Sequence, residues 1–418
     1  MRVDVFQQYE SEVRSYCRSF PTVFTKAKGS YIEAQDGQRY LDFFAGAGAL
    51  NFGHNPDLVK QRLIEYLQED GILHGLDMYT DAKGQFLQAL QEQILQPKSL
   101  DYRVQFCGPT GTNAVEAALK IARKVKGRRN IFAFQGGYHG MTLGALACTG
   151  NSYNRKGAGT ALPDVTFMPF PFGPMKEIDT IAYLDAVLSD SSSGIEKPAA
   201  VLLETVQAEG GVVVAPTPWL KQLRSLCDKH DILMIVDDIQ VGCGRSGNFF
   251  SFERAGIVPD IVTLSKSISG CGLPLAVVLL KPELDVWQPG EHNGTFRGNQ
   301  LAFVSGTVGI ELFQSLNLPA QVAEKSQLLQ QELSGIIDRL DARMELRGLG
   351  MIWGVDLAPL GNERLIDQIT SLCFQDGLII ENAGRKGQVL KLLPPLTASS
   401  DELHIGLEII ERAMKKAL

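Results

Sequence analysis

The 418-residue sequence predicts an α/β fold in which a mostly parallel sheet lies between helices. Short apolar runs recur through the middle of the chain, and such runs are typical of strands that are buried on both faces. Segments with helical periodicity separate these runs, and strands that alternate with helices favour a doubly wound sheet. The predicted strands are 104–107, 131–134, 200–203, 232–236, 261–264 and 276–280.

The segment 113–125 shows the helical pattern clearly. Val115, Leu119, Ala122 and Val125 recur at steps of four, three and three residues, which places them on one face of an α-helix. The pattern predicts an amphipathic helix directly after the first predicted strand.

The two ends of the chain have a different pattern. Residues 31–42 predict a hairpin whose turn carries Asp36 and Gly37. The C-terminal part contains long amphipathic helices and the strand-like segments 350–357 and 389–393. We therefore predict that both termini join in one smaller domain packed against a large one. The predicted parts are 1–50 and 305–418 for the small domain and 51–304 for the large domain.

Composition narrows the possible partners and location. The formal net charge is −7 and there is no basic block, which argues against nucleic acid as a partner. No apolar stretch is long enough to span a bilayer, and the N-terminus lacks the apolar region of a secretory signal. The seven cysteines include no CxxC pair. We interpret them as reduced core thiols of a cytoplasmic protein rather than catalytic thiols, and we predict no metal site.

A glycine-containing turn, 107–113, connects the first predicted strand to the helix. Its two glycines allow the backbone to approach an anion, and the helix N-terminus offers free N–H groups. Thr110 and Thr112 add hydroxyl groups. The turn therefore predicts either a phosphate site or an ordinary strand-to-helix connection with a helix cap.

A second loop, 135–140, follows the next predicted strand and carries Tyr138 and His139. An aromatic side chain at this position could stack on the face of a ligand ring. The alternative is a loop without a binding role.

Two charged residues follow buried strands in a way that suggests chemistry. Asp237 and Asp238 end one apolar run, and Lys266 ends the next before a Gly/Ser-rich turn. Adjacent strand residues point to opposite faces, so only one of the two aspartates easily faces a ligand. A buried amine beside a buried carboxylate is the pair that a pyridoxal phosphate enzyme requires. The alternatives are a helix-capping acid and a solvated lysine.

In this order along the chain, the motifs resemble those of the fold-type I, class III pyridoxal phosphate aminotransferases. The resemblance rests on ILMIVDDIQVGCGRSG at 232–247, FFSFE at 249–253 and PDIVTLSKSISGCGLP at 259–274. It extends along nearly the whole chain. It implies that Lys266 is the Schiff-base lysine and that Asp237 holds the pyridine nitrogen protonated. The other cofactor contacts that it implies are Gly111, Thr112, Asn113, Tyr138, His139, Glu204, Gln240 and, from a partner subunit, Thr295.

The substrate-binding positions depart from the pattern of many ω-aminotransferases. Lys391 stands before Pro394 where an arginine is usual, and an ammonium group cannot form the bidentate fork of a guanidinium. Carboxylate recognition is therefore expected to involve Lys391 or to shift to Arg297. Glu209 is a candidate gate that neutralises the carboxylate-binding cation in one half-reaction; the alternative is a turn carboxylate.

The resemblance implies a homodimer, or a dimer of dimers, that acts on small amino acids and keto acids. The expected reaction transfers an amino group between a terminal amine and 2-oxoglutarate by ping-pong turnover. We expect 2,4-diaminobutyrate as the amine. The alternatives are ornithine, acetylornithine and 4-aminobutyrate, an aminomutase reaction on glutamate semialdehyde, and a scaffold without activity.

Overall fold

The computed structural model describes residues 4–418. Its strands are β1 Phe24–Lys28, β2 Tyr31–Ala34, β3 Arg39–Asp42, β4 Arg103–Phe106, β5 Ile131–Phe134, β6 Val165–Met168, β7 Ala200–Leu203, β8 Val206–Gln207, β9 Val213–Val214, β10 Leu233–Asp237, β11 Ile261–Leu264, β12 Val277–Leu280, β13 Glu345–Leu349, β14 Ile352–Asp356, β15 Leu378–Ile379, β16 Glu381–Ala383 and β17 Val389–Leu392.

The helices surround these strands. They are α1 Asp4–Tyr9, α2 Tyr16–Ser19, α3 Ala45–Gly48, α4 Asp57–Gln68, α5 Asp81–Ala89, α6 Gly111–Lys126, α7 Leu143–Cys148, α8 Ser152–Lys156, α9 Thr180–Ser189, α10 Thr217–Lys229, α11 Gln300–Ser315, α12 Leu318–Leu340, α13 Leu365–Gln375 and α14 Ser400–Ala417.

A seven-stranded sheet forms the centre, in the order β4-β12-β11-β10-β7-β5-β6. The pairs among β11, β10, β7, β5 and β6 are parallel, and β12 runs antiparallel to both of its neighbours. The prediction of a mostly parallel sheet is confirmed. Each of the six predicted strands overlaps an observed one, and the boundaries differ by no more than one residue.

Alternate residues of the sheet enter two separate apolar cores. Val236 and Val262 belong to the larger core, whereas Ile235 and Ile261 belong to the core beneath α6. Because successive side chains of a strand point to opposite faces, both faces must be covered by helices. The sheet therefore lies between helical layers, as predicted.

The two ends of the chain meet in a smaller sheet. The hairpin of β2 and β3 is antiparallel, and β3 pairs in parallel with β15 from the C-terminal part. A third sheet, β13-β14-β17-β16, is built from the C-terminal part alone. This pairing brings residues before 50 and after 340 together, and the exact limits of the two domains stay a prediction.

Within residues 4–418, no single helix has the length and apolar composition needed to cross a membrane, although α11 and α12, bent by 70°, pass that test as a pair.

Candidate active site

Lys266 lies just beyond β11, where the chain leaves the sheet. Its backbone has φ +53°, a left-handed conformation that is unusual for lysine and is often found where function imposes strain. Its Nζ donates a hydrogen bond to the carbonyl of Ala47 at 2.8 Å. Burial lowers the pKa of Lys266 to about 8, and the nearby Glu209 carboxylate opposes that effect only in part. A larger neutral fraction makes this amine a better nucleophile and proton acceptor at physiological pH.

Asp237 ends β10, the strand parallel to β11. Its Oδ2 lies 2.7 Å from Nδ1 of His139, and its Oδ1 accepts hydrogen bonds from Ile239 N at 3.2 Å and from the Thr263 hydroxyl at 3.3 Å. Burial alone would lower the pKa of His139, but the hydrogen bond and charge of Asp237 raise it. The two side chains form a buried pair beyond the carboxyl ends of β10 and β5, two parallel strands separated in the sheet by β7, and α/β proteins bind ligands at this edge.

Two further carboxyl groups lie beside this pair. Glu204 follows β7, and its Oε2 accepts a hydrogen bond from the backbone N–H of Tyr138 at 2.9 Å. Burial raises the pKa of Glu204 to about 7. The other group, Asp238, accepts a hydrogen bond from Ser251 N at 2.9 Å. Of the two adjacent aspartates, only Asp237 contacts the His139 loop.

The start of α6 supplies the third side of the site. Gly111 begins the helix and Thr110 caps it, with its side chain accepting from Asn113 N. A Cβ on Gly111 would lie 3.0 Å from Ile239 Cδ1, so the glycine allows the helix to approach the strand end closely. The Thr112 hydroxyl lies 2.7 Å from that of Thr142. A helix start of this kind can offer its remaining free backbone N–H groups to an anion.

A chain of polar contacts leads from Lys266 to a second lysine. Gln240 donates to the Ala47 carbonyl at 2.9 Å, which Lys266 also contacts, and to Glu209 Oε1 at 3.1 Å. The same oxygen lies 2.6 Å from Lys391 Nζ. Lys391 is fully buried. Its pKa is raised, since Glu209 and its other neighbour outweigh the effect of burial.

That other neighbour is Glu381, which the sequence did not single out. Glu381 on β16 lies directly opposite Lys391 on β17, with Oε1 2.9 Å from Nζ. Burial raises the pKa of Glu381 to about 7, against the attraction of Lys391. The signal in the sequence was a pair of opposite charges within two apolar runs, LIIE at 378–381 and VLKLL at 389–393.

Tyr16 on α2 was also missed. Partial burial of its hydroxyl, followed by the charges of Glu381 and Glu209, raises the pKa of this group, although the residue as a whole is 54% exposed. Its ring contacts that of Phe44 at a centroid distance of 4.9 Å. Tyr16 is therefore placed beside the acidic side of the site by the N-terminal segment.

The structure places two predicted residues apart from this cluster. Thr295 is exposed on a turn. Arg297 forms an ion pair with Asp77. In the part of the chain from 4 to 418, neither shows a contact with Lys266 or Lys391.

The residues that do meet fit pyridoxal phosphate. The buried polar atoms that lack a hydrogen-bond partner in the described residues include Gln240 Oε1 and His139 Nε2, and such atoms usually mark a missing ligand or water. The helix start suits a phosphate, Asp237 suits a protonated ring nitrogen, and Lys266 suits an aldehyde.

Comparison with known proteins defines the class. The family described as aminotransferase class-III matches residues 14–414. The chain therefore belongs to the class-III aminotransferases, whose cofactor is pyridoxal phosphate.

Similar proteins are found along the full length. The chain is 53% identical over 419 residues to a diaminobutyrate–2-oxoglutarate transaminase of Vibrio parahaemolyticus, covering 99% of this chain and 97% of that protein. It is 52% identical over 422 residues to the protein of that name from Bordetella parapertussis, covering 100% and 96%.

Solved structures agree with this assignment. The chain resembles the ornithine aminotransferase of Toxoplasma gondii with a TM-score of 0.86 and 25% identity, over 98% of this chain and 93% of that one. Another structure of that enzyme, described as having partial occupancy of pyridoxal phosphate at its active site, gives a TM-score of 0.82 and 26% identity over 99% and 94%. The predicted fold type I is confirmed.

Proposed function

We propose that this aminotransferase interconverts L-2,4-diaminobutyrate and 2-oxoglutarate with L-aspartate 4-semialdehyde and L-glutamate. The observation that carries the proposal is the identity of 53% over the full length to a diaminobutyrate–2-oxoglutarate transaminase. The reaction would serve ectoine biosynthesis.

The roles of the site residues follow from their positions. Pyridoxal phosphate, when bound, supplies an aldehyde for the amine and an electron-withdrawing ring. Lys266 is proposed to hold the aldehyde and then, as a free amine, to move a proton at the substrate carbon. Asp237, oriented by His139, keeps the pyridine nitrogen protonated. Gln240 is proposed to contact the phenolic oxygen of the ring.

The remaining cofactor contacts are proposed around the rim of the cluster. Gly111, Thr112 and Asn113 would bind the phosphate at the start of α6, and Tyr138 would cover the ring face. Glu204 holds the Tyr138 loop through its backbone N–H. Ping-pong turnover is proposed, in which both amines would react in turn at the one cluster described around Lys266.

A homodimer is proposed on separate grounds. The segment 72–79 exposes the side chains of Ile72, Leu73, Met78 and Tyr79, and Phe296 lies nearby through its ring contact with His74. An exposed apolar patch of this kind favours a protein interface. Pairing there would cover Phe296 and bring Thr295 of one chain toward the phosphate site of the other.

We also propose that the protein is cytoplasmic. Its small domain is proposed to comprise residues 1–50 and 305–418, and its large domain residues 51–304. All seven cysteines are free, and five of them are buried, as expected in a reducing compartment.

An amine scan tests the function. Purified protein with pyridoxal phosphate is given 2-oxoglutarate and one amine at a time, and glutamate formation is measured. We expect 2,4-diaminobutyrate to give the highest kcat/KM among the four amines tested, the others being ornithine, acetylornithine and 4-aminobutyrate. A higher value for any of these would overturn the substrate assignment. Turnover of glutamate semialdehyde without a keto acid would indicate an aminomutase.

A further inference from the structure

The buried cation of the site has two carboxylate partners rather than one. Lys391 Nζ lies 2.6 Å from Glu209 Oε1 and 2.9 Å from Glu381 Oε1. The two acids reach it from different elements: Glu209 lies between β8 and β9, and Glu381 lies on β16 directly across from Lys391. A backbone hydrogen bond from Gly384 N to Glu209 O, 2.9 Å long, ties the two elements together.

A single carboxylate would neutralise Lys391. With both acids ionised the group carries one negative charge in excess, and burying an uncompensated charge is unfavourable. Among the described residues, Lys266 Nζ contacts the Ala47 carbonyl, whereas both acids form their ion pairs with Lys391. Burial raises the pKa of Glu381 to about 7 despite the attraction of Lys391. Glu381 is therefore a buried acid that a further cation would stabilise.

The series of polar contacts that begins at Lys266 suggests that this cation belongs to the substrate. Lys266 and Gln240 share the Ala47 carbonyl, Gln240 reaches Glu209, and Glu209 reaches Lys391 and so Glu381. A substrate whose reacting amine lies at Lys266, and whose chain follows these contacts, would place its far end beside this acidic pair. The proposed amine substrate carries a second ammonium group at that end.

We propose that Glu381 is a specificity-determining residue that binds the α-ammonium group of the amine substrate beside Lys391. The inference rests on the proposed function, because it concerns the far end of the same substrate. A charge-assisted hydrogen bond in a buried site discriminates strongly between a substrate with the ammonium group and one without it. Glutamate carries no second ammonium group, so its half-reaction does not need this contact.

Two substrates that differ only in this group provide the test. 4-Aminobutyrate is 2,4-diaminobutyrate without the α-ammonium group. We expect the wild-type enzyme to prefer 2,4-diaminobutyrate in kcat/KM, and we expect Glu381→Gln to reduce the ratio of the two values about tenfold to a hundredfold. The half-reaction with glutamate should change little. Glu381→Asp keeps the charge and should retain more of the preference than Glu381→Gln.

The control is Glu363→Gln, which removes an exposed carboxylate near Lys386 and should leave the ratio unchanged. Equal losses with both amines and with glutamate in Glu381→Gln would overturn the inference, since they would show that Glu381 only supports Lys391. A wild-type enzyme without preference for the α-ammonium group would overturn it as well.

The substrate assignment can be wrong while the role proposed for Glu381 is right, and the two cases can be distinguished. If the enzyme uses ornithine rather than 2,4-diaminobutyrate, the substrate assignment is wrong, and the same ratio is measured with ornithine and 5-aminopentanoate. A tenfold or larger fall of that ratio in Glu381→Gln still supports the inference, and an unchanged ratio overturns it.

Discussion

Asp237 and His139 form a buried pair, with Oδ2 of the carboxylate 2.7 Å from Nδ1 of the imidazole. Both residues are less than a twentieth exposed. Two further donors, Ile239 N and the Thr263 hydroxyl, hold the other oxygen. The carboxylate is thus fixed on three sides, and its orientation is set before any ligand binds. Such preorganised charge acts strongly in a site shielded from water.

Replacement of this carboxylate should therefore lower turnover while leaving the fold intact. We expect Asp237→Asn, which keeps the shape and an acceptor for Ile239 N, to reduce kcat for transamination by about 100-fold or more. The measurement is glutamate formation at saturating amine, with circular dichroism to check the fold. Asp285→Asn, at an exposed position, is the control. Unchanged kcat in Asp237→Asn would contradict the role proposed for this residue.

The amine of Lys266 should react at a lower pH than an ordinary lysine. Its pKa is lowered from 10.5 to about 8, so the neutral, reactive form grows as the pH rises through about 8. Labelling of the apoprotein with an amine reagent, followed by mass spectrometry of the peptide containing Lys266, should show a midpoint near pH 8. Glu209→Gln removes a charge that raises this pKa and should shift the midpoint downward. A midpoint near 10.5 in the wild type would exclude the lowered pKa.

The central sheet could be predicted because its strands are buried on both faces. The run at 261–264 is apolar at three of its four positions, Ile261, Val262 and Leu264, and side chains from it enter both cores. Continuous apolar runs bounded by charges and glycines have few alternatives to an interior strand. The positions of Asp237 and Lys266 followed, since neighbouring parallel strands end at the same edge of the sheet.

The substrate side of the site could not be predicted in the same way. The contact of Lys391 with Glu381 depends on the register between β16 and β17, which the hairpin and the core beneath it set. A charged residue within a strand usually indicates an exposed face, whereas Lys391 is fully buried. The contact between Lys266 and the Ala47 carbonyl could not be predicted either. It depends on a short segment whose backbone is left-handed at Ala45 and Ala47.

Loss of the Lys391 ammonium group should destabilise the protein. Lys391→Met leaves Glu209 and Glu381 without their cation, and an uncompensated buried charge costs about 3–5 kcal/mol. We expect the free energy of unfolding of the apoprotein, measured in urea at pH 8, to fall by about this amount. The deficit should be smaller at pH 6, because the pKa of Glu381 is already raised to about 7 and its protonated form tolerates burial. The stability contribution of such a carboxyl is present at low pH and is lost as the pH rises through the folded pKa.

A double variant separates charge from packing in that experiment. Lys391→Met with Glu381→Gln removes one of the two unpaired carboxylates and should recover part of the loss. If the double variant is no more stable than Lys391→Met, the deficit comes from packing, and the electrostatic account is wrong.

Arg245 should matter for stability because it joins segments that are distant in sequence. The guanidinium is fully buried. It donates to Asn51 Oδ1 at 2.7 Å, to the Met351 carbonyl at 2.9 Å and to the Pro394 carbonyl. Lysine lacks the planar fork that reaches several acceptors in fixed directions, so Arg245→Lys leaves at least one of them unpaired.

We expect Arg245→Lys to lower the free energy of unfolding by about 3 kcal/mol and to speed hydrogen exchange in the segments 48–53, 349–352 and 393–396. Arg343→Lys, whose ion pair with Asp341 lies at the surface, should change the free energy of unfolding little. Equal effects of the two substitutions would show that Arg245 does not hold these segments together.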